Sequence, residues 1–307
     1  DQFNVTSYGA TVVALMALQA FAGMWINAFI FSVICMAWIK KKTLNSNEKI
    51  LLLLACSRFW HLCVSWLYSL LSIIYPHFLY VQPTYTLIVS IHNFFECSNL
   101  WVSACLSVFY CVKIASFRNR FFTHLKVKID RIVPWLLLGS LLLALAVGIT
   151  VYNIAGKERC DNSTGRGNFL KTSIKMDDGF FPIYFITGFG FITSFMAVTF
   201  SAILLLSSLW RHKRNMQTNS MKDLSMDAHI KAMKSIICFL IIYSINFVVL
   251  ISTLTSSMKD ESPMMFIYVF LYTFPVVHSL ILIFSNPKLE KALLSILSCV
   301  RCKVCIR

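Results

Sequence analysis

Seven apolar stretches, at about 10–38, 50–74, 85–113, 132–154, 181–210, 231–257 and 264–286, are separated by charged connections. A helix needs roughly 20 such residues to cross a hydrocarbon layer ~30 Å thick. Inside that layer each backbone N–H and C=O must be satisfied within the segment, so runs of this kind predict helices. A soluble alternative is excluded by composition. Hydrophobic residues make up 58% of the chain and charged residues 13%, about half the ~25% usual in soluble domains. With no internal repeat, residues 1–307 read as one all-α membrane domain, a seven-helix bundle.

The net charge of +15 could suggest nucleic acid, but the basic residues sit in short connections between apolar runs, so no nucleic-acid partner is expected. The connections at 39–49, 113–131 and 211–234, with the tail, hold 21 Lys and Arg; the opposite set holds 6. That asymmetry puts the first set in the cytoplasm and the N-terminus outside. No basic region precedes the first apolar run, so that run is expected to be its own insertion signal. The sequons at Asn4 and Asn162 both fall on the expected outer side, as glycosylation requires. Of eleven cysteines, only Cys160 lies in an expected outer connection, so no disulfide framework is read. Beyond Asn286-Pro287, Leu289, Leu293, Ile296, Leu297 and Val300 recur at helical spacing, which predicts an amphipathic helix over about 287–299 on the cytoplasmic surface. Cys299, Cys302 and Cys305 follow among Arg and Lys residues. Palmitoylation is the favoured reading over a metal site, for which no fourth ligand is evident.

The third stretch is unusual. His92, Glu96, Asn99, Ser103, Ser107 and Tyr110 recur at steps of four, three, four, four and three, a polar stripe along one helix face. Lipid cannot satisfy such a stripe, so this helix belongs inside the bundle as its central post. Arg58, about nine residues from Lys49, lies roughly 13 Å into the membrane. An unpaired Arg there costs at least ~2.5 kcal/mol. Asn27 and carbonyls near Pro275 are its expected partners. Glu96 sits about 12 Å higher than Arg58, too far for direct pairing. A carboxylate there favours cationic or hydrogen-bond-donating ligands; the rival reading is a protonated Glu96 bonded within the bundle or to His92. Pro275 removes a backbone bond and can hinge the seventh helix.

Five segments carry a more specific signal: LACSRFW (Leu54–Trp60), LSVFYCVKIASF (Leu106–Phe117), SLWRHKRNMQ (Ser208–Gln217), AHIKAMK (Ala228–Lys234) and PVVHSLILIFSNPKLEKA (Pro275–Ala292). In this order, on these helices, they resemble the vertebrate bitter taste receptors, the type 2 taste receptors, over nearly the whole chain. The resemblance implies a plasma-membrane G-protein-coupled receptor that takes small bitter compounds from outside and activates a gustducin-like (inhibitory-class) heterotrimeric G protein. It also accounts for a third helix without a D-R-Y end and a seventh without N-P-x-x-Y.

The resemblance places His92 and Glu96 at pocket positions, where the family commonly has Trp and Asn. Ser69, Asn93, Val249, Tyr268 and Tyr272 are further expected wall residues. Asn246 stands where the family carries a Tyr. Asn27, Arg58, Pro275 and His278 form an expected structural and switching network. Tyr110, Lys113, Arg211, His212, Lys213, His229, Lys231 and Lys234 converge on the expected G-protein face, where lipid headgroups are the competing partner. No catalytic triad, phosphate loop or H-E-x-x-H occurs, so neither enzymatic activity nor a cofactor is expected. A channel or transporter using the third-helix stripe as a pathway is the alternative.

Overall fold

The structure, a computed structural model, describes residues 7–74, 83–115, 120–163, 181–218, 223–255 and 261–305. These form α1 (Ser7–Lys41), α2 (Ser46–Ile74), α3 (Thr84–Ile114), α4 (Arg120–Ser163), α5 (Phe181–Thr218), α6 (Asp223–Thr255), α7 (Glu261–Ser285) and α8 (Pro287–Cys305). Helices α1, α2, α3, α5, α6 and α7 follow one another around a closed ring, each packed on the next, and α7 returns to α1. Helix α4 lies outside, mainly against α3. Six described helices carry apolar windows long enough to cross a membrane, and α7 supplies the seventh span, at 25 residues or about 38 Å. The chain is a seven-helix, multi-pass membrane protein.

The interior position of α3 follows from its polar stripe. Its apolar window is 67% buried, whereas the other five windows are between 22% and 44% buried. The helices turn Trp25, Trp135, Met196 and Phe200 mostly to the surroundings, a surface that only hydrocarbon tolerates. The largest core cluster joins Ile30 and Ile34 of α1, Leu51 and Leu54 of α2, Leu106 and Phe109 of α3, Ile129 of α4 and Ile283 of α7. A second cluster links α3 to α5, α6 and α7 through side chains: Leu100 and Ala104 join Phe191, Tyr243, Leu250 and Phe274. Within it Phe195 stacks on Phe247 at 4.1 Å.

Several boundaries differ from those read in the sequence. Helix α4 begins at Arg120, not near 132, because the charged segment 120–131 keeps an apolar side: Leu125 and Ile129 reach the main core, and Phe122 packs near Cys111 and Leu209. Helix α6 begins at Asp223, and α8 runs to Cys305. Between α7 and α8 the chain turns by 97°. Pro287 occupies the first helical position of α8, where its missing N–H costs nothing. Asn286 caps it, Oδ1 accepting the Lys288 N–H at 3.0 Å.

Gly23 sets how closely three helices approach, whereas Gly139 sets none. A Cβ at Gly23 would lie 2.5 Å from Leu62 Cδ1 and 3.0 Å from Val276 Cγ2, so α1, α2 and α7 meet where only hydrogen fits. At Gly139 nothing lies within 4 Å. Gly23→Leu should overpack this junction and cost about 1–3 kcal/mol, whereas Gly139→Ala should be neutral or stabilising by up to ~1 kcal/mol. Thermal unfolding of the purified protein in lipid nanodiscs checks both; equal behaviour of the two variants would contradict the packing.

Candidate functional site

Arg58 is completely buried, and three helices converge on it. Its Nε donates to Asn99 Oδ1 at 2.9 Å, Nη1 to Ser279 Oγ at 3.0 Å and Nη2 to Ser103 Oγ at 3.3 Å. Nη2 also meets His278 Nδ1. A guanidinium only donates, so that Nδ1 accepts and the ring proton sits on Nε2. Ser279 passes the connection on, donating to Asn27 Oδ1 at 2.9 Å, and Asn27 donates to Gly23 O at 2.8 Å. Asn27 therefore reaches Arg58 through Ser279, not directly, and the partners on α7 are side chains one turn past Pro275 instead of carbonyls beside it. The Phe274 ring adds a cation–π contact at 5.9 Å.

The stripe on α3 divides between neighbours. Asn99 and Ser103 turn to Arg58 on α2, Ser107 bonds Ser201 of α5 at 2.7 Å, and Tyr110 donates to Asn47 of α2 at 3.0 Å. His92 faces α2, its ring 4.8 Å from that of His61, whose nitrogens have no hydrogen-bond partner among the described residues. Glu96 lies one turn from His92, with Oε2 4.0 Å from Nδ1, and keeps 17% of its side chain accessible.

That accessibility opens on a cavity of about 290 Å³ between α3, α4 and α5, near the lower end of ligand-pocket sizes. Asn93 and Glu96 are its polar groups on α3; Trp101, Leu143, Val147 and Phe189 are among its apolar walls. Of the expected wall residues whose side chains are described, Asn93 and Glu96 line this space; His92, Ser69, Asn246, Val249 and Tyr272 do not. Asn246 is buried beside a crevice with Leu100, Phe191 and Tyr243 that is too tight for a water molecule. Ser69 and Tyr272 bond each other at 3.2 Å, joining α2 to α7, and Val249 is half-buried on α6. The side chains of Tyr268, His229, Asn162, Cys302 and Cys305, and all of Asn4, lie outside the described residues. Among the described residues no group of three metal-binding side chains comes together.

At the opposite end of the bundle, ion pairs staple neighbouring helices. Lys113 meets Asp130 of α4 at 2.5 Å, Lys231 of α6 meets Glu290 of α8 at 2.9 Å, and Lys288 meets Glu48 of α2 at 2.5 Å. Arg211, His212 and Lys234 are exposed there, Lys213 lies 5.8 Å from the Trp210 ring, and Cys299 is an exposed free thiol on α8.

Sequence reasoning missed Ser279, His61 and the α4 and α5 walls of the cavity. Ser279 follows His278 directly, and His61 lies one helical turn from Arg58, so both had a positional signal. The cavity had none, because Leu143, Phe185 and Phe189 read like any lipid-facing residue.

Comparison with known proteins agrees with the residues above. The family described as "Taste receptor protein (TAS2R)" matches residues 5–301. Taste receptor type 2 member 9 of Papio hamadryas is 30% identical, covering 95% of this chain and 94% of its own length. Member 40 of Gallus gallus is 30% identical over 96% and 98% of the two chains, and member 7 of Macaca mulatta 31% over 94% and 92%.

Breaking the buried network should cost more than any surface change. Arg58→Lys keeps the charge but loses the fork, and should destabilise the protein by about 3–5 kcal/mol. Ser279→Ala should cost about 1–3 kcal/mol. Asn27→Ala added to Ser279→Ala should cost less than the sum, since the two share one bond. Unfolding temperatures of the purified variants test the set, and strict additivity would contradict the Asn27–Ser279 link.

Proposed function

The chain belongs to the taste receptor type 2 family, and on that premise we propose that it is a plasma-membrane receptor for small bitter compounds that activates a gustducin-like heterotrimeric G protein. In this reading the N-terminus is outside, Asn4 and Asn162 carry glycans, and the α8 cysteines are lipid-anchored. It works as a transducer, without enzymatic activity or a cofactor.

One observation carries the reading: a carboxyl and an amide, Glu96 and Asn93, open on a cavity in the N-terminal half of α3, while directly below them Arg58 ties α2, α3 and α7 together and, through Ser279, α1. Ligand contact on α3 is thereby one to two turns from the bonds that hold the helices' arrangement. An agonist that binds better to one arrangement shifts the population toward it. At the cytoplasmic end that shift changes how α6 sits against α8, where Lys231 holds Glu290. A G protein that favours the open end tightens agonist binding in return. Tyr110, Lys113, Arg211, His212, Lys213, His229, Lys231 and Lys234 are the proposed contact surface. Asn99, Ser103, Ser107 and Tyr110 are each committed to a neighbouring helix, which supports a receptor over a channel that needs the stripe for a pathway.

The ligand class follows from Glu96. A carboxylate in a largely apolar space favours cations and strong donors. In cells carrying a gustducin-chimera G protein, a panel of cationic, neutral and anionic bitter compounds should raise calcium for some cations. Glu96→Gln, matched for surface expression, should lower those responses at least tenfold and spare neutral agonists. Equal responses of both proteins to every compound would remove Glu96 from the ligand's chemistry. Ion flux without G protein would favour the channel.

A further inference from the structure

The cavity between α3, α4 and α5 does not face the centre of the ring. Helix α4 stands outside the ring, so a space between α3, α4 and α5 borders the lipid. Its rim bears this out: Phe185 is 64% exposed, Phe189 63% and Leu143 43%, all apolar and all turned to the surroundings. At the inner end of the same space is the Glu96 carboxyl, 4.0 Å from His92 Nδ1, with Asn93 one turn away. Asn93 donates one amide N–H to the Val89 carbonyl at 2.8 Å, and its oxygen is an acceptor. Gly190 on α5 adds an unfilled patch of wall, since a Cβ built there meets nothing within 4 Å.

An apolar mouth on the lipid side with a carboxyl at the inner end is complementary to one kind of molecule. From this we infer that the cavity is a side entrance and binding site for small amphiphilic amines that dissolve in the bilayer and reach Glu96 between α4 and α5. The inference rests on the receptor reading for its consequence, though the binding itself does not. The ammonium donates to the Glu96 carboxylate, a charge-assisted bond strengthened by the low dielectric around it. The apolar body lies against Leu143, Val147 and Phe189. With a cavity of about 290 Å³, at ~30 Å³ per water-sized group, the occupant has roughly ten non-hydrogen atoms, an aromatic ring with a short amine arm.

A photoreactive benzylamine bearing a diazirine, and the benzyl alcohol of the same shape, are the probes. Purified full-length protein in nanodiscs is irradiated without G protein and the labelled peptides are identified by mass spectrometry. The amine should label α4 and α5 near Leu143, Val147 and Phe189 and outcompete the alcohol at least tenfold. Gly190→Leu fills the open wall and replaces a poor helix former, so it should fold and lose at least nine-tenths of the labelling. Leu143→Trp, closing the mouth from α4, should do the same. Glu96→Gln should abolish the preference for amine over alcohol. Labelling on α2 or α7 in place of α4 and α5, labelling unchanged in both plugged variants, or amine and alcohol labelling equally in wild type would each overturn the side entrance. Because no G protein is present, these outcomes are separate from the calcium assay: labelling as expected with no calcium response would leave the site standing and defeat the receptor reading.

Discussion

A guanidinium cannot lose its charge in a protein, so burying one in a membrane commits the structure around it. Arg58 is satisfied only while α2, α3 and α7 hold their present register, because its partners Asn99, Ser103, His278 and Ser279 come from two helices that it does not belong to. Ser279 extends the commitment to Asn27 on α1. Four of the ring's six helices are thus fixed by one side chain, and any other register exposes an unpaired charge to hydrocarbon. Around this point the apolar packing is permissive, since van der Waals contact has little directional preference. The polar bonds select the arrangement that the packing alone would leave open.

The network also explains why α3 is the post. Its stripe of polar residues reaches α2 through Asn99, Ser103 and Tyr110, and α5 through Ser107. Tight approach to α4 is arranged differently: the Ser90 hydroxyl donates to the Gly148 carbonyl at 2.5 Å, and a Cβ at Gly148 would stand 3.3 Å from Phe94. Small residues and hydroxyls are the usual means by which membrane helices come close, since lipid offers apolar residues nothing to escape from.

Much of this architecture was legible in the sequence because the membrane makes local patterns decisive. Length and hydropathy gave the spans, and the four-three spacing from His92 to Tyr110 placed α3 inside. Arg58 was legible as a residue needing partners, but not which partners, because those depend on the rotation of α7 about its axis. Periodicity fixes that rotation poorly in a helix that is apolar all round. The stripe likewise marked one face of α3 as interior without saying which neighbours it meets; the small angular drift between successive steps sends its members to α2, to α5 and to a space beside α4. The extra turns at the start of α4 and α6 were hidden by their charge, which hydropathy reads as a connection although, in α4, Leu125 and Ile129 still have an apolar core to meet.

Pro275 divides α7 between two sets of neighbours. Above it, Tyr272 bonds Ser69 of α2 and Thr273 accepts from Gln19 of α1 at 2.9 Å; below it, His278 and Ser279 belong to Arg58. The proline removes one rung from the helix's own ladder between these anchorages. Helix α7 is therefore one continuous helix held at two places, by α1 and α2 on one side of the proline and by Arg58 on the other. With a rung missing between the two grips, the stiffness of α7 at that level is supplied by its neighbours and not by its own backbone.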